Sequence, residues 1–270
     1  MTGTGSPLPD PNRSGPSQLV IVGDRKFLID CGRGCLMRLA AIGALPLTIE
    51  RLLITHLHSD HITDVNDFIT TRWIQGFPPQ SLPIVGPEGT NQFIENTIEM
   101  LKPDIGYRTE HHSDLPSPPE LEVKETSSGI VLDDDQLRIT AALTDHKPVH
   151  PTIGYRIETE EGSIVLAGDT VPCDGLDELC LGADVYVQTV IRDDLIKQIP
   201  VERLQDVIGY HSTVEDAART ATKAGVKTLV LNHCVPAPST TEDIAQWIDI
   251  ASKFFEGEII LPSDLERIAV

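Results

Sequence analysis

The sequence predicts an α/β (α+β) chain folded as a four-layer αββα sandwich, two packed sheets with helices on their outer faces. Three observations carry this. Short strand-like segments in the first part of the chain follow one another with few helices between them. The last part alternates strand, helix, strand, helix, strand, as parallel strands with covering helices do. An apolar run, Leu52-Leu53-Ile54, leads straight into Thr55-His56-Leu57-His58-Ser59-Asp60-His61, so the stretch richest in chemistry sits where a buried strand ends. At 270 residues, with no repeat, low-complexity stretch or linker, residues 1–270 read as a single domain.

Residues 3–18, dense in Gly, Pro, Ser and Asp, form a loop. Residues 19–22 and 27–29 flank Gly23-Asp24-Arg25-Lys26 as a hairpin. Asp30-Cys31-Gly32-Arg33-Gly34 turns into an apolar helix over 36–42, ended by Gly43. After the histidine cluster, 64–73 read as helix, stopped by Gly76 and Pro78-Pro79. A strand over 82–85 turns at Gly86-Pro87 into a helix over 91–101. Residues 103–119 read as irregular, and their His111-His112 pair as part of a solvated or substrate-flanking loop.

Strands return at 121–123, 130–132 and 137–142, with Asp133-Asp134-Asp135 as a solvated turn. Residues 153–157 and 163–167 bracket a hairpin turn, and a helix over 176–181 precedes a strand over 185–190. The charged segment 193–210 reads as helix broken by Pro200. Ser212-Thr213-Val214-Glu215 has capping-box form, with Ser212 as the cap, and opens a helix that Gly225 closes. A strand over 228–231, a helix over 242–255 and strands near 258–261 and 267–270 complete the chain.

A net charge of −20 favours solubility and works against unspecific attraction to nucleic acid or anionic membrane. No apolar run has the length of a membrane span and no signal-peptide pattern opens the chain, so a cytoplasmic protein is expected. Cys31, Cys35, Cys173, Cys180 and Cys234 are odd in number and lack a secreted-scaffold spacing, so all five read as reduced and structural.

In the histidine cluster, His56 and His58 point to one face of an extended chain. Asp60 and His61 swing to a second position once the backbone turns. Four donors in six positions exceed what one tetrahedral ion uses, so the spacing suggests two ions side by side. Three further candidates stand at ends of predicted strands: His146 in Thr144-Asp145-His146-Lys147-Pro148, Asp169 in Ala167-Gly168-Asp169-Thr170, and His233 after residues 228–232. His150 is a rival to His146.

Thr-His-x-His-x-Asp-His after a hydrophobic strand resembles the signature of the metallo-β-lactamase fold hydrolases. Asp30-Cys31-Gly32-Arg33-Gly34, Gly154-Tyr155-Arg156-Ile157, Gly168-Asp169-Thr170 and His211-Ser212-Thr213 are similar to motifs of its ribonuclease Z-like branch. That branch also contains arylsulfatases, phosphodiesterases and lactonase-like enzymes. The resemblance implies an αββα sandwich of the metallo-β-lactamase type, in which His56, His58 and His146 hold one ion and Asp60, His61 and His233 the other. Asp169 would bridge the two. Zinc suits such donors, and manganese or iron would also fit. Two zinc ions would bring the pKa of a bridging water toward neutrality and create a hydroxide nucleophile, with Asp60 orienting it. His211, just before a helix N-terminus, would stabilise a phosphoryl oxygen or protonate the leaving group.

Two departures bear on the substrate. Ribonuclease Z enzymes carry a His-Glu-Ala-Thr stretch whose Glu orients the catalytic His; here the strand reads Val187-Gln188-Thr189-Val190. The bacterial tRNA-processing type carries a long arm before the bridging Asp. Here a short acidic turn, Glu158-Thr159-Glu160-Glu161, takes its place. The expected function is therefore a dinuclear-zinc hydrolase of phosphodiesters or related small esters. Its expected partner is a small-molecule ester in preference to RNA, with Lys147 as the nearby substrate-binding cation and no membrane. The alternatives are a ribonuclease Z-type tRNA 3′-end processing endonuclease, an arylsulfatase or lactonase, and a non-catalytic or redox metal protein on the same fold. A homodimer is expected, and it would be the way to assemble any basic surface for RNA.

Overall fold

The hairpin read around Gly23 is present in the computed structural model, which describes residues 1–270. Strand β1 (Gln18–Val22) pairs antiparallel with β2 (Arg25–Ile29), Val20 opposite Phe27. β2 continues in parallel into β3 (Arg51–Leu53), β4 (Leu82–Gly86) and β5 (Leu121–Glu125), giving a five-stranded sheet in sequential order. Parallel neighbours need crossovers, and helices supply them. These are α1 (Cys35–Ala41), then α2 (Ser59–Ile62) with α3 (Val65–Gln75), and then α4 (Thr90–His111).

The second sheet begins as an antiparallel meander of β6 (Gly129–Asp133), β7 (Arg138–His146), β8 (Val149–Glu158) and β9 (Ser163–Leu166). It continues in parallel through β10 (Val185–Ile191), β11 (Thr228–Val235) and β12 (Glu258–Ile260) to seven strands. Its crossovers hold α5 (Asp174–Cys180), α6 (Asp193–Ile196), α7 (Glu202–Gln205), α8 (Val214–Ala224) and α9 (Thr241–Ser252).

Alternation along the strands sorts the apolar residues into three cores. Phe27, Leu53 and Val85 of the first sheet meet Tyr155, Val187 and Val230 of the second between the sheets. Leu28, Leu52 and Ile84 face outward onto Leu39, Phe68 and Ile94. Tyr186, Leu229 and Leu231 face outward onto Leu176, Ala221 and Trp247. The result is the four-layer sandwich the sequence predicts. No helix is long and apolar enough to cross a membrane.

Three local expectations are corrected. Helix α4 does not stop before Pro103 but runs to His111, because Ile105 is buried with Trp73 and Leu115. That burial offsets the bond a helical proline forfeits. The cap of α8 is Thr213 with Asp216, one residue later than expected. The Ser212 hydroxyl is already committed to the carbonyl of Thr170 at 2.7 Å. Residues 267–270 form no strand.

Topology also sets where the chemistry falls. Two antiparallel steps make β7 parallel to β9, and β9, β10 and β11 are parallel to one another. The carboxyl ends of all four therefore open on one rim, the usual place for a site in such sheets.

Candidate metal centre

That rim receives every strand-end residue singled out above. β3 delivers His56 and His58, and Asp60 and His61 lie in the single turn of α2. His146 ends β7, Asp169 follows β9 past Gly168, and His233 stands near the end of β11. The donor atoms of His56, His58, His146 and Asp169 lie within 4.8 Å of one another, as do those of Asp60, His61 and His233. Asp169 reaches both groups. Its Oδ2 is 3.8 Å from Nε2 of His56 and of His146 and 3.7 Å from Nε2 of His233, while its Oδ1 is 3.5 Å from Nε2 of His61. All of these side chains except His58 are buried.

The donor set fits cations. The Nδ1 proton of His146 goes to the carbonyl of Tyr210 at 2.7 Å, and Nδ1 of His56 meets the Thr55 hydroxyl at 3.0 Å. Their Nε2 lone pairs therefore converge on Nδ1 of His58, 3.2 and 3.3 Å away. One shared proton cannot satisfy three imidazole nitrogens. Nε2 of His61 is buried with no hydrogen-bond partner, because its Nδ1 donates to Asp30 at 2.8 Å. Burial pushes His56 well below the ordinary imidazole value and His146 down to about 4, keeping both rings neutral donors. Burial opposes ionisation of Asp169, and positive charge on the His233 and His61 rings, in the place cations would take, outweighs it and holds its carboxyl well below the usual range. Buried groups of this kind are paired or coordinate metal, and the cluster has the make-up of a dinuclear metal site on this fold.

A layer behind the cluster aims it. Asp30, at φ 56, accepts from the Thr55 amide, the Thr55 hydroxyl and Nδ1 of His61, each at 2.8 Å. Through Thr55 the same carboxylate orients His56, the arrangement by which ligand imidazoles are usually held. The Thr189 hydroxyl donates to Oδ1 of Asp169 at 2.7 Å. Gly32 lies under the loop so closely that a Cβ there would stand 2.2 Å from the carbonyl oxygen of Asp60. His233 has φ 48, a strained conformation of the kind that collects at functional sites. Sequence reasoning assigned Asp30 and Thr189 no role. Asp30 carried a signal, its place at the head of the glycine turn.

His211 is brought to the same space, its Nε2 3.3 Å from Oδ2 of Asp169. Its Nδ1 donates to the carbonyl of Val207 at 2.9 Å, so a backbone carbonyl holds the ring. Gln188 stands where resembling enzymes have Glu, but it turns to the outer face. There it accepts from the Tyr186 hydroxyl at 2.6 Å and donates to the Thr189 carbonyl at 2.8 Å. His111, His112 and His150 are exposed and stand apart from the cluster. Lys147 lies on the β7–β8 turn, its side chain 71% exposed and 3.3 Å from Asp145. All five cysteines are free, and burial pushes the Cys234 thiol, beside His233, up to about 12.

A family model described as the Beta-lactamase superfamily domain matches residues 25–234. Ribonuclease Z of Mycobacterium avium (strain 104) is 52% identical over 272 residues, covering 100% of this chain and 97% of that protein. Ribonuclease Z of Mycobacterium tuberculosis (strain H37Rv) is 49% identical with the same coverage. Among solved structures, human tRNase Z, short form, is 25% identical with a TM-score of 0.72 and coverages of 99% and 97%. The metallo-β-lactamase fold protein YhfI of Bacillus subtilis has a TM-score of 0.75 at 19% identity, a likeness of fold.

These relatives overturn the expectation of a small ester as the preferred substrate and partner. Ribonuclease Z relatives align with this 270-residue chain over 272 residues, which leaves no room for a long inserted arm, so the arm is no requirement for that name. The net charge of −20 misled because it sums the whole surface, whereas a phosphate is met locally, at a centre built for cations. Matched from end to end by such relatives, the chain belongs to the β-lactamase superfamily, as a metal-dependent hydrolase of its ribonuclease Z branch.

Proposed function

We propose that this chain is a ribonuclease Z-type endonuclease that cuts a phosphodiester bond in tRNA precursors to release the 3′ trailer. The observation that carries the proposal is 52% identity to a ribonuclease Z over the full chain, on a fold that gathers seven donor side chains at one rim. In this reading the chain is a single-domain subunit of a cytoplasmic homodimer with two zinc ions. Zinc is favoured by a donor set of imidazoles and carboxylates. Five free cysteines support a reducing compartment. A dimer would let basic side chains of two copies share the phosphates of one tRNA, which extends well beyond a single metal centre.

His56, His58 and His146 would hold one ion, Asp60, His61 and His233 the other, with Asp169 shared. Bound there, the pair supplies Lewis acidity toward phosphoryl oxygens and lowers the pKa of water. The chain's own residues do the rest. Asp60, 3.1 Å from Nε2 of His233, has its carboxylate turned into the centre, where it can orient the attacking water. His211, with Nδ1 committed to Val207, presents only Nε2 to the reacting phosphate, where it can carry a proton to the leaving oxygen. The buried floor of Thr55, Thr189 and Asp30 keeps these groups from reorienting as charge moves.

The test is incubation of the zinc-loaded protein with a precursor tRNA carrying a 3′ trailer, alongside a bis-aryl phosphodiester. Release of the trailer at physiological salt is expected. Hydrolysis of the small diester with the precursor left intact would refute the proposal.

A further inference from the structure

The C-terminal segment reaches back across the molecule to the floor of the metal loop. Asp264 has a side chain only 5% exposed, and both of its oxygens are doubly occupied. Oδ1 accepts from the Thr4 amide at 2.9 Å and the Thr4 hydroxyl at 2.8 Å. Oδ2 accepts from the Ser14 amide at 2.7 Å and from Nε of Arg38, on α1, at 2.8 Å. One carboxylate thus ties the two arms of the N-terminal loop to α1. Gly5 closes the loop by donating to the Ser14 carbonyl at 2.7 Å.

What that loop rests on gives the contact its meaning. The residue after Ser14, Gly15, donates to the Arg33 carbonyl at 2.7 Å, and the Gly32 amide donates to the Pro16 carbonyl at 3.1 Å. A Cβ on Gly15 would meet the Asp60 carbonyl oxygen at 2.9 Å, and one on Gly32 would meet it at 2.2 Å. The Cys31 amide, next along, donates to the carbonyl of His61 at 2.7 Å. The backbone of Asp60 and His61 therefore packs against two strips of chain that are hydrogen-bonded to each other, and Asp264 fixes one of them, the strip that follows Ser14. Close-packed atoms without slack transmit small shifts. The other half of the centre hangs from the ends of β3 and β7 and from Tyr210, and no bond of this network reaches it.

We propose that Asp264 is a positioning residue for the Asp60–His61–His233 half of the metal centre, acting through residues 4–16. The inference rests on the two-cation reading of the site but not on the identity of the substrate. Its test is a competitive chelator titration of the zinc-loaded full chain, with thermal unfolding measured in parallel. In Asp264→Asn one zinc equivalent should leave at roughly 10-fold lower chelator concentration, the lower end of what lost support to a ligand costs, with the other unchanged. The effect should vanish in a His233→Ala background and persist in a His146→Ala background, which a merely structural role would not produce. Thr4→Val, a milder change, should shift the same equivalent in the same direction. Asp184→Asn removes a carboxylate that serves Ser163 and Lys227 away from the rim, and serves as the control. Equal weakening of both equivalents, or a lowered unfolding temperature with both unchanged, would overturn the proposal. Loss of precursor cleavage by a wild-type protein that holds two zinc ions would refute the nuclease reading and leave this measurement standing.

Discussion

Replacing Asp30 by Asn should weaken the whole metal centre while leaving the backbone intact. Asn is close to isosteric and tolerates the left-handed conformation at φ 56, so shape and backbone are preserved. What changes is the number of acceptors. Asp30 meets three donors at 2.8 Å in a site 1% exposed, and an amide offers them one oxygen. If that oxygen keeps the Thr55 amide, the amide nitrogen confronts the Thr55 hydroxyl and Nδ1 of His61. The hydroxyl can rotate. The imidazole relieves the clash only by moving its proton to Nε2, the atom that faces Asp60 and Asp169. A ligand imidazole in the wrong tautomer loses its lone pair for the metal. Such losses are worth 10–100-fold in affinity, or about 1.4–2.7 kcal/mol. Because Thr55 links the same carboxylate to His56, both zinc equivalents should weaken, unlike the single equivalent expected for Asp264→Asn. Chelator competition monitored by zinc release measures this directly. A folded Asp30→Asn protein whose two zinc affinities stay within about twofold of wild type would refute the reasoning.

Four other outcomes follow from the same geometry. Asp169→Ala removes the one carboxylate within 3.8 Å of Nε2 of His56, His61, His146 and His233, so metal analysis should find most of the bound zinc gone. His211→Ala should keep its zinc while the turnover number on precursor tRNA falls roughly 10²–10⁴-fold; loss of metal would make His211 a ligand instead. Tyr155→Phe removes a buried hydroxyl that donates to the Ile54 carbonyl at 2.8 Å, just before the histidine cluster. Denaturant unfolding should show a loss of about 1–3 kcal/mol for the stranded carbonyl. Precursor cleavage at low substrate should drop roughly 10-fold or more between about 50 and 200 mM salt, whereas hydrolysis of a small diester should hardly respond. A flat salt profile for the precursor would argue against phosphate contacts beyond the scissile one.

Much of the architecture was legible because it depends on local pattern. The Gly23 hairpin, the apolar run into Thr55 and the helix closed by Gly225 each follow from residues adjacent in sequence. Where a distant contact outweighed local pattern, the reading failed. Pro103 would end an isolated helix, but Ile105 finds Trp73 and Leu115. Ser212 has the composition of a cap, but Thr170 takes its hydroxyl. The substrate expectation failed for a related reason: net charge is a sum over the chain, and recognition is a property of one place on it.

The sequence by itself determined the donor types and their spacing along the chain. Two histidines two positions apart at a strand end, followed by Asp60 and His61 in a single turn, can approach a common point whatever the rest of the molecule does. Only the tertiary structure decided how that point is held. The carboxylate of Asp30 stands 31 positions from His61, and the carbonyl of Tyr210 stands 64 positions from His146. Asp264 comes 260 positions round to Thr4. Spacing constrains which side chains are able to meet, but a hydrogen bond between remote segments exists only after the sheets have stacked, so its partners leave no periodic trace in the sequence.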